Sequence, residues 1–389
     1  VSIETGYTIT KVRTSPAGKD PFIAASSYEG TVLGIGHKGT VEWINPLSGF
    51  MNHDLWCEDI TGDGSVEILT ANADGTVYCL DRAGTLLWKF KANDAPMYAV
   101  TVVHDDARTP HVVCGGYDKS IYYLSAKGDL IKEVPSSVYS VEKSWGKDPN
   151  KPAPPSGVHI ANFLRPLRRA DGTDALVVHG VIQANSGSGS LYLFKPLEDK
   201  PFKVIRKTSS VGELRIGDLE QDGTQEILLG TSQMIQKSAV TRVDVGTGEQ
   251  TKFAPSTQRR KIDNFGYRVA QPEIMTEGER RLYFVLFGSK ILLVPADMDP
   301  KQTEVLTCKY SFNDMWKGPN GKFILASSQS GGSCIHLLDT ASPGWKTAYE
   351  NLSPPGKIAA ILKNTAEARS HLAEFQRPAH EREPRPVYL

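Results

Sequence analysis

The feature that most constrains this chain is a recurrence. A strand–turn–strand unit returns seven times, at 23–35, 68–81, 112–125, 177–194, 227–244, 283–295 and 324–339. Self-similarity at a fixed period means that no unit buries its apolar face alone, so the copies must stack. The fullest copy, residues 55–93, reads as four short strands: Leu55–Ile60, Val66–Ala71, Thr76–Leu80 and Leu86–Lys91. TGDG, NADG and DRAG separate them, each with Gly where a turn needs positive φ. Short-period alternation of aromatic and β-branched residues excludes a helix. Spread over residues 6–352, the seven units take about 50 residues each, the length of a four-stranded blade. The expected fold is all-β: a seven-bladed β-propeller of four-stranded blades, which protects sheet edges by radial repetition. A β-sandwich or a solenoid would not need one turn pattern in every unit.

Blades 1 and 7 both read as self-sufficient, so ring closure is expected to be weak or to use the N-terminal VSIE. The propeller is assigned to 1–352 and a C-terminal helix with linker to 353–389. In that segment Ile358, Ile361, Leu362, Leu372 and Phe375 share one helical stripe, which must be buried. Pro354 and Pro355 suit the helix start, and Pro378 lies beyond its end. The tail turns apolar again at Val387–Leu389, which reads equally as a plain C-terminus or as the approach to a downstream catalytic domain.

Charge narrows the partners. Forty-four basic residues balance forty-four acidic ones. Nucleic acid is therefore not expected as the main partner, because phosphate binding calls for a basic excess. No apolar run reaches the ~18 residues of a membrane-spanning helix. Val1 begins no charged and apolar leader, so a signal peptide is expected to be already removed. Five widely spaced cysteines form no C-x-x-C pair, which excludes a zinc ribbon or a dense disulfide framework; they read as small buried hydrophobes.

Two motifs carry a family resemblance. ITGDGSVEIL (60–69) and LEQDGTQEILLG (219–230) resemble the FG-GAP-like repeat, with Asp59, Asp63, Gly64 and Glu67, then Asp218, Asp222, Gly223 and Glu226, at the matching positions. GTVYCLDRAGTLLWKF (75–90) resembles the tryptophan-docking repeat of PQQ-like propellers. The resemblance implies a bacterial propeller of the kind attached to polysaccharide lyases and glycoside hydrolases, periplasmic or extracellular. Quinone dehydrogenases of that group commonly need eight blades and an adjacent Cys-Cys pair. This chain lacks both, so no cofactor is expected to be required. Asp59, Asp63, Asp218 and Asp222 are candidate oxygen ligands for a structural calcium; alternatively they cap their own turns through backbone hydrogen bonds.

Chain direction orders the faces of a propeller. The innermost strands start at one mouth of the axis, the upper one here, and that convergent ring is where a ligand is expected. The strand starts bring His53, Asp54, Tyr98, His159, Glu213, Arg215, Tyr267, Arg268, Asn313, Asp314 and Trp316 to it. Adjoining loops add Tyr28, Glu29, Asp74, Tyr117, Asp118, Asn185, Gln233, Ser328 and Gln329. Strand neighbours alternate faces, so about half of the strand residues should point inward. Aromatics beside carboxylates, amides and arginines suit a carbohydrate. Tyr98, Tyr117, Arg215, Tyr267, Arg268, Asn313 and Trp316 are the ligand-binding candidates, with Arg215 and Arg268 suited to clamping a uronate carboxylate.

No G-x-S-x-G, H-E-x-x-H or strand–GxGxxG–helix pattern occurs, so motifs do not separate catalysis from binding. The leading expectation is an extracytoplasmic glycan-recognising propeller from a polysaccharide-degrading protein. If the propeller is itself a uronate-directed lyase, His53 or His159 would be its base. If it is a hydrolase, Glu213 and Asp314 would be its acids. A protein-interaction scaffold is the third expectation, because fold alone does not decide function.

Overall fold

The structure, a computed structural model, describes residues 1–15, 22–36, 39–140, 159–169, 173–182, 189–208, 212–231, 240–253, 269–318, 321–327 and 333–352. Among the described residues, seven antiparallel four-stranded sheets are present, each in simple meander order. Blade 2 illustrates the unit: Asn52–Glu58, Glu67–Asn72, Thr76–Leu80 and Leu86–Lys91. Its third and fourth strands have the bounds read from the sequence. Its first begins three residues earlier than expected, because Asn52 already pairs with Asn72.

The inner strands are Ile9–Thr14, Asn52–Glu58, Met97–His104, Ile160–Arg168, Glu213–Gly217, Ala270–Glu277 and Phe312–Lys317. Each touches the inner strand of the next blade, and Ile9–Thr14 touches Phe312–Lys317, so the ring is closed. The second and third strands are almost wholly buried, while the fourth alternates with solvent. Alternation therefore survives only at the outer edge, where one face meets water. Apolar clusters fill the spaces between neighbouring blades, one per interface. All five cysteines are free and buried.

Blade 7 differs from its expected self-sufficiency. Its outermost strand is Ser2–Glu4 from the other end of the chain, paired antiparallel with Cys334–Leu338 in the register Ile3 to Ile335. The N-terminal segment thus closes the ring. Ile3 is buried in the apolar cluster between blades 7 and 1, and Thr5 donates its hydroxyl to the Ser333 carbonyl at 2.6 Å. After Leu338 the chain turns into a short helix, Trp345–Glu350, where repetition alone calls for a fourth strand. Trp345 and Tyr349 sink into the cluster between blades 6 and 7, and Tyr349 donates to the Ser289 carbonyl at 2.8 Å. The expected apolar helix within 353–389 lies outside the described residues.

Candidate functional site

Five inner strands carry a β-bulge near their start, among the described residues. In each, one residue of the inner strand has no partner opposite: Thr10, His53, Tyr98, Asn162 and Asn313. A bulge adds one residue, shifts the alternation and re-aims a side chain. All five bulged residues are part-exposed, and in three of the bulges the next residue, Asp54, Ala99 or Asp314, is buried. Three rings adjoin on this upper rim. His53 meets Tyr98 edge-on with centroids 4.9 Å apart, and Tyr98 meets Tyr117 at 6.4 Å. Tyr117 sits on the loop after Pro110–Gly116, with its backbone N–H held by the Pro96 carbonyl at 2.9 Å and its side chain exposed. Tyr28 is exposed on the matching loop of blade 1. Burial and the nearby Lys11 push the His53 pKa down to about 4. The imidazole is thus uncharged at neutral pH and a weak base there. Asn313 donates its side-chain amide to the Ile9 carbonyl at 2.8 Å, tying the rim across the ring seam.

Below the rim the axis is filled by charge. Asp54, Glu213 and Asp314 stand on one level, and two residues further along their strands Trp56, Arg215 and Trp316 form the next, together with Arg13 and Arg165 of blades 1 and 4. This is the period of two of a pleated strand repeated around a ring. The acids and arginines form a closed alternating circuit. Arg13 reaches Asp314 at 2.8 Å and Asp54 at 3.2 Å; Arg165 reaches Asp54 at 2.7 Å and Glu213 at 3.6 Å. Arg215 completes it, 3.5 Å from Glu213 and 3.9 Å from Asp314. Every member is at most 3 % exposed. Burial alone would raise the carboxyls of Asp54 and Glu213, but the surrounding arginines hold both below the usual carboxylate range.

The candidate residues from the sequence therefore separate into groups. His53, Tyr98, Tyr117 and Asn313 share the upper rim. Glu213, Arg215 and Asp314 are consumed by the ion circuit, because the arginines of other blades neutralise the acids. Glu213, held below the usual carboxylate range by those arginines, is no proton donor at neutral pH. His159 is 1 % exposed, beside the Tyr192 hydroxyl at 2.8 Å from its Nδ1, so it lies in the wall of blade 4. Trp316 faces a cavity at the opposite, lower mouth. Tyr267, Arg268, Asn185, Gln233, Ser328 and Gln329 lie outside the described residues. Glu29 is exposed in the turn of blade 1 beside Tyr28. Asp74 and Asp118 each accept a tyrosine hydroxyl at 2.7 Å, from Tyr78 and Tyr122.

The acidic turns cap themselves. Asp59 accepts the backbone N–H groups of Gly62 and Gly64 at 2.7 and 2.8 Å, and Asp63 accepts that of Ser65 at 2.7 Å. Asp218 and Asp222 repeat the arrangement with Asp222, Gly223 and Thr224. Glu67 and Glu226 accept from Ile60 and Leu219 and close each turn onto its strand. Among the described residues, no three acidic, histidine or cysteine side chains converge as a metal site requires. The carboxylate oxygens of all four aspartates serve their own turns in this way.

Fold and rim together define a closed propeller with a buried ion circuit on its axis and an aromatic edge on its upper rim. Residues 22–338 match the family model of the λ-carrageenase β-propeller domain, and the chain belongs to that family. A λ-carrageenase of Pseudoalteromonas sp. is 46 % identical over 391 residues, covering 100 % of this chain and 41 % of that protein. The λ-carrageenase of Pseudoalteromonas carrageenovora shows the same 46 % identity over 391 residues and the same coverage. The chain thus spans 41 % of the length of these curated relatives. Among solved structures, BBS1N in complex with ARL6DN superposes with a TM-score of 0.57 at 11 % identity, covering 86 % of this chain and 92 % of that one. BamB from Moraxella catarrhalis superposes with a TM-score of 0.50 at 15 % identity, covering 85 % of this chain and 84 % of its own. Both likenesses show the fold alone. The coarser implication of the sequence holds in that the chain is a propeller of the family found in these polysaccharide-degrading relatives. The matching model carries the carrageenase name and not the FG-GAP or PQQ-like one. Among the described residues, no helix is long and apolar enough to cross a membrane.

Proposed function

We propose that this chain is the glycan-recognising propeller of an extracellular λ-carrageenan-degrading protein. The observation that carries the site is the ring series His53–Tyr98–Tyr117 on the upper rim. Sugar rings offer flat CH faces to aromatic side chains and hydroxyls to the amides beside them. Bulges bring His53 and Tyr98 to the mouth, since each re-aims one residue of an inner strand, and the loop after Pro110–Gly116 brings Tyr117. In this reading the ligand is λ-carrageenan in place of the uronate polysaccharide expected from the sequence.

Bond cleavage belongs, in this reading, to the remainder of the longer relatives. Glu213 and Asp314, the candidate acids, are held in the ion circuit, and His53 is too weak a base at neutral pH. Isothermal titration with λ-carrageenan tests the binding role. Tyr98→Ala combined with Tyr117→Ala should weaken affinity by about tenfold or more, near 1.4 kcal/mol. Undiminished affinity in the double variant, with its unfolding temperature unchanged, would remove the rim as the site.

A further inference from the structure

At the lower mouth, where the inner strands end, three blades meet at one imidazole. His104 is the last residue of the blade 3 inner strand, Met97–His104. Its Nδ1 lies 3.0 Å from Oδ2 of Asp174, the first residue of the second strand of blade 4, Asp174–Val181. Its Nε2 lies 3.7 Å from Oε1 of Glu58, the last residue of the blade 2 inner strand. Both carboxylates have a further partner. Asp174 Oδ2 also accepts the His104 backbone N–H at 2.9 Å, and Asp174 Oδ1 is 3.5 Å from Nε of Arg168. Glu58 Oε2 accepts the Trp56 indole N–H at 2.9 Å. Trp56, Glu58, Arg168 and Asp174 all line a cavity of about 370 Å³, so His104 is wired to its wall from two sides.

This geometry needs a proton. An ionised carboxylate only accepts hydrogen bonds, so Asp174 must receive the Nδ1–H of the ring. A neutral imidazole has then used its one N–H, and Nε2 turns a lone pair toward the Glu58 carboxylate. Two acceptors would face each other. In the imidazolium Nε2 carries a second N–H, and the same contact becomes an ion pair. Neighbouring strands offer Glu58 no substitute. Glu67 stands opposite it and accepts the Ile60 N–H at 2.9 Å; Arg13 and Arg165 belong to the ion circuit; His111 faces Asp105 at 3.0 Å. Among the described residues, His104 is the one basic side chain within ion-pair distance of Glu58. The hydrogen bond to Asp174, with both carboxylates beside the ring, raises the His104 pKa against the effect of burial.

We propose that His104 is a proton latch that holds blades 2, 3 and 4 together at the lower mouth. While the imidazolium is present, Glu58 is held against blade 3 and in turn fixes the Trp56 indole in the cavity wall. When the proton leaves, the Glu58 carboxylate faces a lone pair, turns into the cavity and releases the indole. Raising the pH through the His104 titration therefore loosens this wall, and lowering it closes the wall again. The latch does not depend on the glycan reading of the rim.

The test is nuclear magnetic resonance of the full chain, isotope-labelled at the histidine and tryptophan nitrogens. It reads both ends of the latch, the His104 ring and the Trp56 indole N–H; His104→Gln and Trp56→Phe assign the two signals. As the pH rises through the His104 titration, solvent exchange of the Trp56 indole N–H should speed up about tenfold more than that of the other indoles. Glu58→Gln separates the latch from general loosening. Its amide oxygen still accepts from Trp56, and its NH₂ donates to the bare Nε2, so the joint stays closed without a proton. In that variant the extra exchange should vanish, and the His104 midpoint should fall because the anion beside it is gone. Trp56 exchange that follows the other indoles throughout the titration would overturn the latch. An unchanged His104 midpoint in Glu58→Gln, or the same extra exchange there as in the parent chain, would overturn it as well.

Discussion

Arg165 of blade 4 donates from Nη1 to Oδ2 of Asp54 in blade 2 at 2.7 Å, across 111 residues of chain. The same aspartate accepts from Arg13 of blade 1 at 3.2 Å. One buried carboxylate thus compensates two buried guanidinium groups and ties three blades at the axis. Asp54→Ala leaves Arg13 to Asp314 and Arg165 to Glu213, so two carboxylates then face three buried guanidinium groups. Breaking a buried pair from one side costs about 3–5 kcal/mol, and that loss is the expected outcome in urea denaturation. A cost below about 1 kcal/mol would show that the circuit is solvated or can rearrange.

Ring closure provides a second expectation. Ile3 is 4 % exposed in the cluster between blades 7 and 1, on a strand of only three residues. Ile3→Ala should cost about 2–5 kcal/mol, and it should do so without changing the affinity of the proposed ligand site on the rim. Equal thermal stability of variant and parent chain would mean that Ser2–Glu4 adds little to closure.

The blade joints depend on a glycine. Trp43 donates its indole N–H to the Arg82 carbonyl of the next blade at 2.8 Å, and Trp88 repeats this with Ala126 at 2.9 Å. Beneath the first indole lies Gly84, with φ +84°, where a Cβ would come within 2.4 Å of the ring. Gly49 has φ +81° with nothing near. Left-handed backbone alone costs a non-glycine residue about 1–2 kcal/mol. Gly84→Ala should therefore destabilise more than Gly49→Ala, by the added work of displacing the indole. Similar unfolding midpoints for the two variants would contradict that account.

The legible part of this fold was local. Thr76–Leu80, Leu86–Lys91 and the glycine turns between them follow from alternation and turn chemistry within one repeat. What was not legible depends on which blades the ring brings together. Asp314 finds Arg13 from 301 positions away, and only closure by Ser2–Glu4 sets blade 7 beside blade 1. Arg13 and Arg165 sit mid-strand, where period-two counting could have placed them on the axis beside Arg215. The bulges are the second reason. At His53 and Tyr98 one extra residue offsets the alternation, and the residue after the bulge, Asp54 or Ala99, is buried. Asp54, Glu213 and Asp314 consequently read as ligand contacts, although their partners are arginines of the same ring. Glu58, His104 and Asp174 had no signal at all, because the His104–Asp174 contact joins two different blades at strand ends.

Acid should loosen the same joint that Ile3 closes. His336 stands between the closing strand and the interior of blade 7, with Nδ1 2.7 Å from the Ser2 hydroxyl and Nε2 3.0 Å from that of Ser327. Burial pushes its pKa from 6.5 down to about 4. Below about 6.5 the unfolded chain takes up a proton that the folded chain refuses, so stability falls as pH drops toward 4, by up to about 1.4 kcal/mol per pH unit. His53, also pushed down to about 4, acts with the same sign. His104 acts oppositely: its hydrogen bond to Asp174 raises its pKa, so its contribution is full at low pH and is lost as pH rises. Comparison with His336→Gln isolates the one group, since glutamine can bridge both serines without titrating. Between about pH 7 and about pH 5 the parent chain should lose about 1–2 kcal/mol more stability than the variant. Equal losses in the two would show that His336 is solvated at the joint and titrates alike in the folded and unfolded chain.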